Sequence, residues 1–302
     1  VTQTAYAAFF PAARQSAAAL EPQESWWPWR GHRVHVARAR RPDAVARVLV
    51  VHGAGGHSGA VWPLAALLAD RGLDVAAVDL PLYGRTVSPD PNGVRYGDWV
   101  DLLVDLVAAE RDARPLVLLG ASIGGMLAYE VAARSDDVDA VAATCLLDPR
   151  DWRARARMTR FGILGVLAGP LTGLTRGPFA RTTIPVKWVA NLSRMSRNPN
   201  LTRLCAGDPR GGGARVPIGF LTSYLGFRHI APRAASTPMT LVHPAEDAWT
   251  PVELSVRVLR RAVASTTLVL LRECGHFPVE EPGLTDLIDT IVSLAADVAS
   301  PR

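Results

Sequence analysis

Cysteine is scarce in this chain: Cys145, Cys205 and Cys274 are the only three in 302 residues. An odd, sparse set without ligand spacing is neither a disulfide framework nor a zinc site. Lysine is scarcer still, with Lys187 alone beside 32 arginines. Together with abundant alanine this reads as the codon bias of a GC-rich genome and says little about function. No apolar run reaches the ~20 residues that a transmembrane helix needs. The first twenty residues are Ala-rich, but no basic leader precedes their apolar part and Arg14 interrupts it. A secretory signal is therefore not expected, and the cytoplasm is the expected location. The glycine-rich run His52-Gly53-Ala54-Gly55-Gly56-His57-Ser58-Gly59 matches neither G-x-G-x-x-G nor the Walker pattern with its lysine, so no nucleotide site is expected. No cofactor and no metal is expected elsewhere, and no internal repeat is present.

What is there is ample material for a core. Hydrophobic residues make up 49%, charged residues 20%, and the mean hydropathy is +0.13, which excludes a disordered chain. One stretch organises the rest. Pro115-Leu116-Val117-Leu118-Leu119 is too short and too apolar for anything but a strand buried on both faces. It runs into Gly120-Ala121-Ser122-Ile123-Gly124, an instance of G-x-S-x-G, and Met126 to Arg134 then reads as a helix. A strand, a sharp turn and a helix with Ser122 at the apex form the context of a nucleophile elbow. The flanking glycines leave room for a serine in a strained backbone conformation. The N–H of Ile123 then falls at the positive end of the helix dipole.

In chain order, Ala5 to Leu20 reads as a helix. Ser25-Trp26-Trp27-Pro28-Trp29-Arg30 reads as an aromatic packing anchor broken by proline. His32 to Arg38 alternates polar and apolar, which predicts a strand near a sheet edge with His32 and His35 solvated. Strands are expected at Arg47–Val51, Leu73–Leu80, Asp139–Leu147, Met239–His243 and Thr266–Leu271, with Arg47–Val51 and Asp139–Leu147 buried. Helices are expected at Val61–Arg71, Asp98–Arg111, Pro251–Val263 and from about Pro282 to Ala299. Strands alternating with helices imply an α/β fold, with a mostly parallel central sheet covered by helices on both faces.

The alternation stops at Asp148-Pro149-Arg150 and resumes near Met239. Residues 1–149 and 237–302 are read as the core, and 150–236 as an inserted helical cap. The inserted stretch holds 15 basic residues against Asp151 and Asp208, a net charge of +13, which leaves −8 for the remainder of a chain whose total is +5. Such segregation creates a local positive field. Within it, Phe161 to Leu171 is apolar around its circumference, so a buried or interfacial segment is expected there.

Three side chains fall in loops after strands: Ser122, Asp247 and His276. That edge is where α/β folds place their sites. The runs H-G-A-G-G-H-S-G, G-A-S-I-G-G, P-A-E-D-A-W-T-P and G-H-F-P, in this order, resemble those of α/β-hydrolases across nearly the whole chain outside 150–236. The first run and the capped layout are most similar to monoacylglycerol lipases and related small serine esterases, although Ala121 stands where His is common in that subfamily. The resemblance implies a Ser122, His276 and Asp247 triad, with the N–H groups of Ala54 and Ile123 as oxyanion donors. Glu246 and Asp148 are the other carboxylates that could orient His276. A serine in place of aspartate at the elbow argues against the alkyl-enzyme branch, the epoxide hydrolases and haloalkane dehalogenases. The expected activity is hydrolysis of a small-molecule ester with an apolar acyl group through an acyl-enzyme. A thioesterase acting on coenzyme A or an acyl carrier is the alternative, because the arginine excess suits a phosphorylated carrier. A lyase on the same triad and a non-enzymatic binding scaffold are further readings. The basic segment could also meet anionic lipid or an acidic partner; nucleic acid is not expected, since no recognition motif accompanies the charge.

Overall fold

The strands, in chain order, are β1 (Gln23–Trp29), β2 (His32–Ala39), β3 (Arg47–Val51), β4 (Asp74–Val78), β5 (Leu116–Gly120), β6 (Ala140–Ala143), β7 (Thr183–Pro185), β8 (Arg215–Pro217), β9 (Met239–Pro244) and β10 (Thr266–Leu271). The computed structural model describes residues 2–162 and 177–300. Eight strands form one sheet in the order β1-β2-β4-β3-β5-β6-β9-β10. From β4 through β10 every pairing is parallel, and β2 joins antiparallel to both β1 and β4. Central β3 and β5 are buried at every position, which is why both read as unbroken apolar runs.

The helices of the core are α1 (Gln3–Ala7), α2 (Gln15–Ala18), α3 (Ser58–Asp70), α4 (Tyr96–Ala109) and α5 (Ile123–Ala132). Then come α6 (Trp152–Met158), α7 (Pro199–Gly207) and α8 (Ile218–Leu225) between β6 and β9, and finally α9 (Val252–Leu259) and α10 (Gly283–Ala299). The long crossover helices bury large side chains against the sheet, Trp62 of α3 and Trp99 of α4 among them. At roughly 25 cal/mol per Å² of apolar area removed from water, each such aromatic contributes about 5 kcal/mol to holding the helix layer on the sheet.

Three expectations are corrected. The expected helix from Ala5 to Leu20 is two short helices, α1 and α2, parted where Pro11 has no N–H to continue the ladder. The aromatic anchor is a strand. β1 pairs with β2 along its whole length, with Pro28 opposite Arg33, and an edge strand is where a sheet tolerates proline. β2 does lie next to the sheet edge, but β1 outside it covers His35, which is buried rather than solvated.

Between β6 and β9 the chain forms α6, α7, α8, short 3₁₀ turns and a small antiparallel pair, β7 with β8. Asp151 caps α6 by accepting the Arg153 N–H at 2.9 Å. The expected apolar segment Phe161 to Leu171 lies, from residue 163 on, outside the described residues. Among the described residues no helix is long and apolar enough to cross a membrane.

Candidate active site

Ser122 joins β5 to α5 with φ 54° and ψ −126°, a region that side-chain-bearing residues rarely occupy. The neighbouring glycines are dictated by contact. A Cβ at Gly120 would stand 2.2 Å from the Gly124 carbonyl oxygen, and one at Gly124 would stand 2.4 Å from that of Val51. The turn is held from both sides. Ala121 donates its N–H to the Val51 carbonyl at 2.8 Å. Ser122 donates its N–H to the hydroxyl of buried Thr144, also at 2.8 Å.

Asp247 follows β9 and His276 follows β10. The His276 ring bonds through Nδ1 to Asp247 Oδ2 at 2.7 Å. The same carboxylate accepts the Thr250 hydroxyl at 2.6 Å and the N–H groups of Trp249 and Thr250 at 2.8 and 2.9 Å. Burial pushes the Asp247 carboxyl up, but His276 and Thr250 more than offset this and hold it at about 2. An ionised carboxylate on Nδ1 fixes that nitrogen as the N–H donor and leaves Nε2 as the base. His276 Nε2 is buried and has no hydrogen-bond partner among the described residues. Trp249 packs its ring on the imidazole, with centroids 4.7 Å apart, and donates its indole N–H to the Arg157 carbonyl of α6.

Ser122 and His276 line one cavity of about 80 Å³, together with Tyr6, Phe10, Leu64 and Met195 among others. Among the described residues no acidic, arginine or lysine side chain lines it. Ala54 is also in the wall, and neither its N–H nor that of Ile123 is taken by another group among the described residues. The loop that carries Ala54 is braced by His52, whose Nδ1 bonds the Gly53 carbonyl at 2.8 Å and whose Nε2 accepts the Leu80 N–H at 3.1 Å. Burial lowers the His52 imidazole to about 4, so this histidine stays neutral and structural.

Of the three carboxylates weighed in the sequence, Asp247 is the one bonded to His276. Glu246 is half exposed and pairs with Arg197 at 2.9 Å. Asp148 closes a turn on Arg150, accepting its N–H at 2.9 Å. Burial pushes the Cys145 thiol up despite the Ser122 and Thr250 hydroxyls beside it, and it raises Cys205 to about 12. Neither is a thiolate nucleophile. Among the described residues no group of three or more His, Cys, Asp or Glu side chains gathers to hold a metal.

Sequence reasoning missed several supports. Thr144, Trp249 and the pair His57–Asp208 carry no local signature, because each works across a long stretch of chain. Asp79, directly after β4, ties several elements together. It accepts N–H bonds from Ser58 and Arg85 at 2.5 and 2.7 Å and binds His35 Nδ1 at 2.7 Å, with Glu24 on the far side of that ring.

The alpha/beta hydrolase family model matches residues 48–285. The chain is 27% identical over 258 residues to a pimeloyl-[acyl-carrier protein] methyl ester esterase of Neisseria meningitidis, covering 80% of this chain and 90% of that one. It is 27% identical over 262 residues to a monoacylglycerol lipase of Mycolicibacterium smegmatis, covering 83% and 89%. Among solved structures, a monoacylglycerol lipase of Paleococcus ferrophilus superposes with TM-score 0.69 at 19% identity, covering 88% and 99%. With the family model spanning most of its length, the chain belongs to the alpha/beta hydrolase family.

Proposed function

We propose that the protein is a serine hydrolase that cleaves carboxylic esters whose acyl group is apolar and uncharged. The observation that carries this reading is the His276 ring, tied to an ionised Asp247 on one nitrogen and unpartnered on the other, in the cavity that Ser122 enters. Names of relatives point the same way, since an esterase and a lipase are among them.

The chemistry follows from the residue types. A serine hydroxyl is a weak nucleophile until a base removes its proton. His276 Nε2 accepts that proton as Ser122 Oγ bonds the ester carbonyl carbon. Asp247 stabilises the imidazolium so formed. The carbonyl oxygen becomes an oxyanion held by the Ala54 and Ile123 N–H groups, each such donor contributing about 3 kcal/mol in comparable sites. His276 then returns the proton to the departing alkoxide, leaving an ester on Ser122. Water repeats the sequence, giving the carboxylic acid and the free serine. The lining among the described residues is neutral and disfavours a charged acyl terminus, because none of those side chains would compensate its desolvation. The segment 150–236 acts as the cap, supplying Met195 and Cys205 to the wall.

The test is hydrolysis of p-nitrophenyl butyrate, with fluorophosphonate labelling of the folded protein. Ser122→Ala is expected to lower kcat/KM by at least about 10⁴-fold and to abolish labelling. Full activity in that variant would overturn the assignment. The thioesterase reading is favoured by the 15 basic residues of the cap. Turnover of an acyl thioester against its oxygen ester separates the two, with salt sensitivity confined to the thioester supporting a phosphorylated carrier.

A further inference from the structure

Asp208 belongs to the inserted segment, directly after α7, yet it is wholly buried and reaches into the core. Its Oδ2 accepts the Tyr6 hydroxyl and bonds His57 Nε2, both at 2.8 Å. Tyr6 of α1 lines the cavity. His57 ends the glycine-rich turn that begins at His52 and presents Ala54, and it is the N-cap of α3. One carboxylate thus joins the insert, the N-terminal helix and the loop that carries an oxyanion donor.

The backbone that follows reinforces the join. The Asp208 carbonyl accepts N–H bonds from Gly211 and Gly213 at 3.0 and 2.7 Å, closing a tight turn. That turn lies directly on the donor loop. A Cβ at Gly211 would stand 2.4 Å from the Gly55 carbonyl oxygen. Gly55 itself has φ +73°, and a Cβ there would stand 3.2 Å from Gly212 Cα. The Arg210 carbonyl accepts the Gly84 N–H at 2.9 Å, fixing the turn to the loop after β4 as well. His52 holds the donor loop from beneath, and the insert holds it from above.

We propose that Asp208, with the glycine turn it anchors, is a positioning residue for the oxyanion hole, so that the inserted segment sets the aim of the Ala54 N–H. The proposal rests on the ester-hydrolase reading. A donor aimed at the position of the developing oxyanion acts on the transition state and little on the bound ester. A displacement of about 1 Å at such a donor is enough for a loss of order 100-fold.

Two variants test it in the full chain. Asp208→Asn keeps the shape and removes the charge that holds His57. Gly211→Ala leaves Asp208 intact and presses on Gly55. Each is expected to lower kcat by about 10- to 100-fold with KM within about twofold. Each is also expected to weaken a trifluoromethyl ketone, which adds to Ser122 as an oxyanion, by the factor lost in kcat/KM. Asp90→Asn, which breaks the ion pair of Asp90 with Arg181 of the inserted segment, is expected to leave both quantities unchanged. If Asp208→Asn does not fold, Gly211→Ala carries the test. Folded variants with unchanged kcat, with KM alone raised, or with undiminished ketone affinity would overturn the proposal, as would an equal loss in Asp90→Asn. A wild-type protein inert to both ester and ketone would instead remove the reading on which the proposal stands.

Discussion

Ser122 keeps a backbone conformation that only its surroundings make tolerable, and Thr144 supplies one of those surroundings. Its hydroxyl is the partner of the Ser122 N–H. Thr144→Val removes that acceptor and keeps the shape, leaving a buried donor unpaired at a cost of about 1–3 kcal/mol. The expected result is a lower melting temperature with kcat reduced about 10-fold; an unchanged kcat would mean that the glycine contacts alone fix the elbow. The contrast between Thr144 and its neighbours explains what was readable. Ser122, Asp247 and His276 stand at ends of strands, beside glycine and proline, where a linear pattern marks them. Thr144 acts on a residue 22 positions away, His57 on one 151 away and Trp249 on one 92 away. Such supports exist only once the chain has folded, and no spacing encodes them. His35 was misread for a related reason: alternation along β2 gave it to a polar face, but that face is covered, and Asp79 satisfies the ring.

At the scale of elements, the long crossover units were legible because their periodicity is enforced by a sheet with two covered faces. Short pieces were not. β1 lies at the margin, where proline and exposed aromatics are compatible with pairing, so its pattern resembles a break. Pro11 divides what the alanine content suggests is continuous. Those misread pieces bear on function, since the segment from α1 to Phe10 forms one wall of the cavity and α3 forms another. Leu64 of α3 lines that wall and is only partly buried, so it is the gentlest place to enlarge it. Leu64→Ala is expected to raise kcat/KM for the hexanoyl over the butyryl ester about 10-fold, the order of a methylene's worth in an apolar pocket. Parallel assays of the p-nitrophenyl esters read this directly; an unaltered chain-length profile would place the acyl group elsewhere.

Across the whole molecule, three buried carboxylates share one condition. Asp79, Asp208 and Asp247 each lie at about 2 against an ordinary value of 3.8, burial being outweighed in each by bonds from histidine and backbone N–H groups. Because the folded values are depressed, their stabilisation is complete above about pH 4 and is lost as pH falls toward 2. His35 is raised above its ordinary value of 6.5, despite its burial, by its bonds to Asp79 and Glu24, so its contribution is complete below about 6.5 and fades as pH rises through the raised value. Burial depresses His52 to about 4, so its contribution is complete above about 6.5 and is lost as pH falls through 4, and urea midpoints measured against pH should therefore decline below about 6.5 and fall most steeply toward 2. Asp79→Asn should cost about 3 kcal/mol or more near neutrality and flatten that fall; an acid limb of unchanged steepness would assign it to other groups. The inserted segment's charge of +13 and the −8 of the rest have a different consequence. The total of +5 conceals two poles on one body. Near neutrality the molecule is therefore expected to be retained on an anionic resin more firmly than its total charge implies, and to be released by moderate salt.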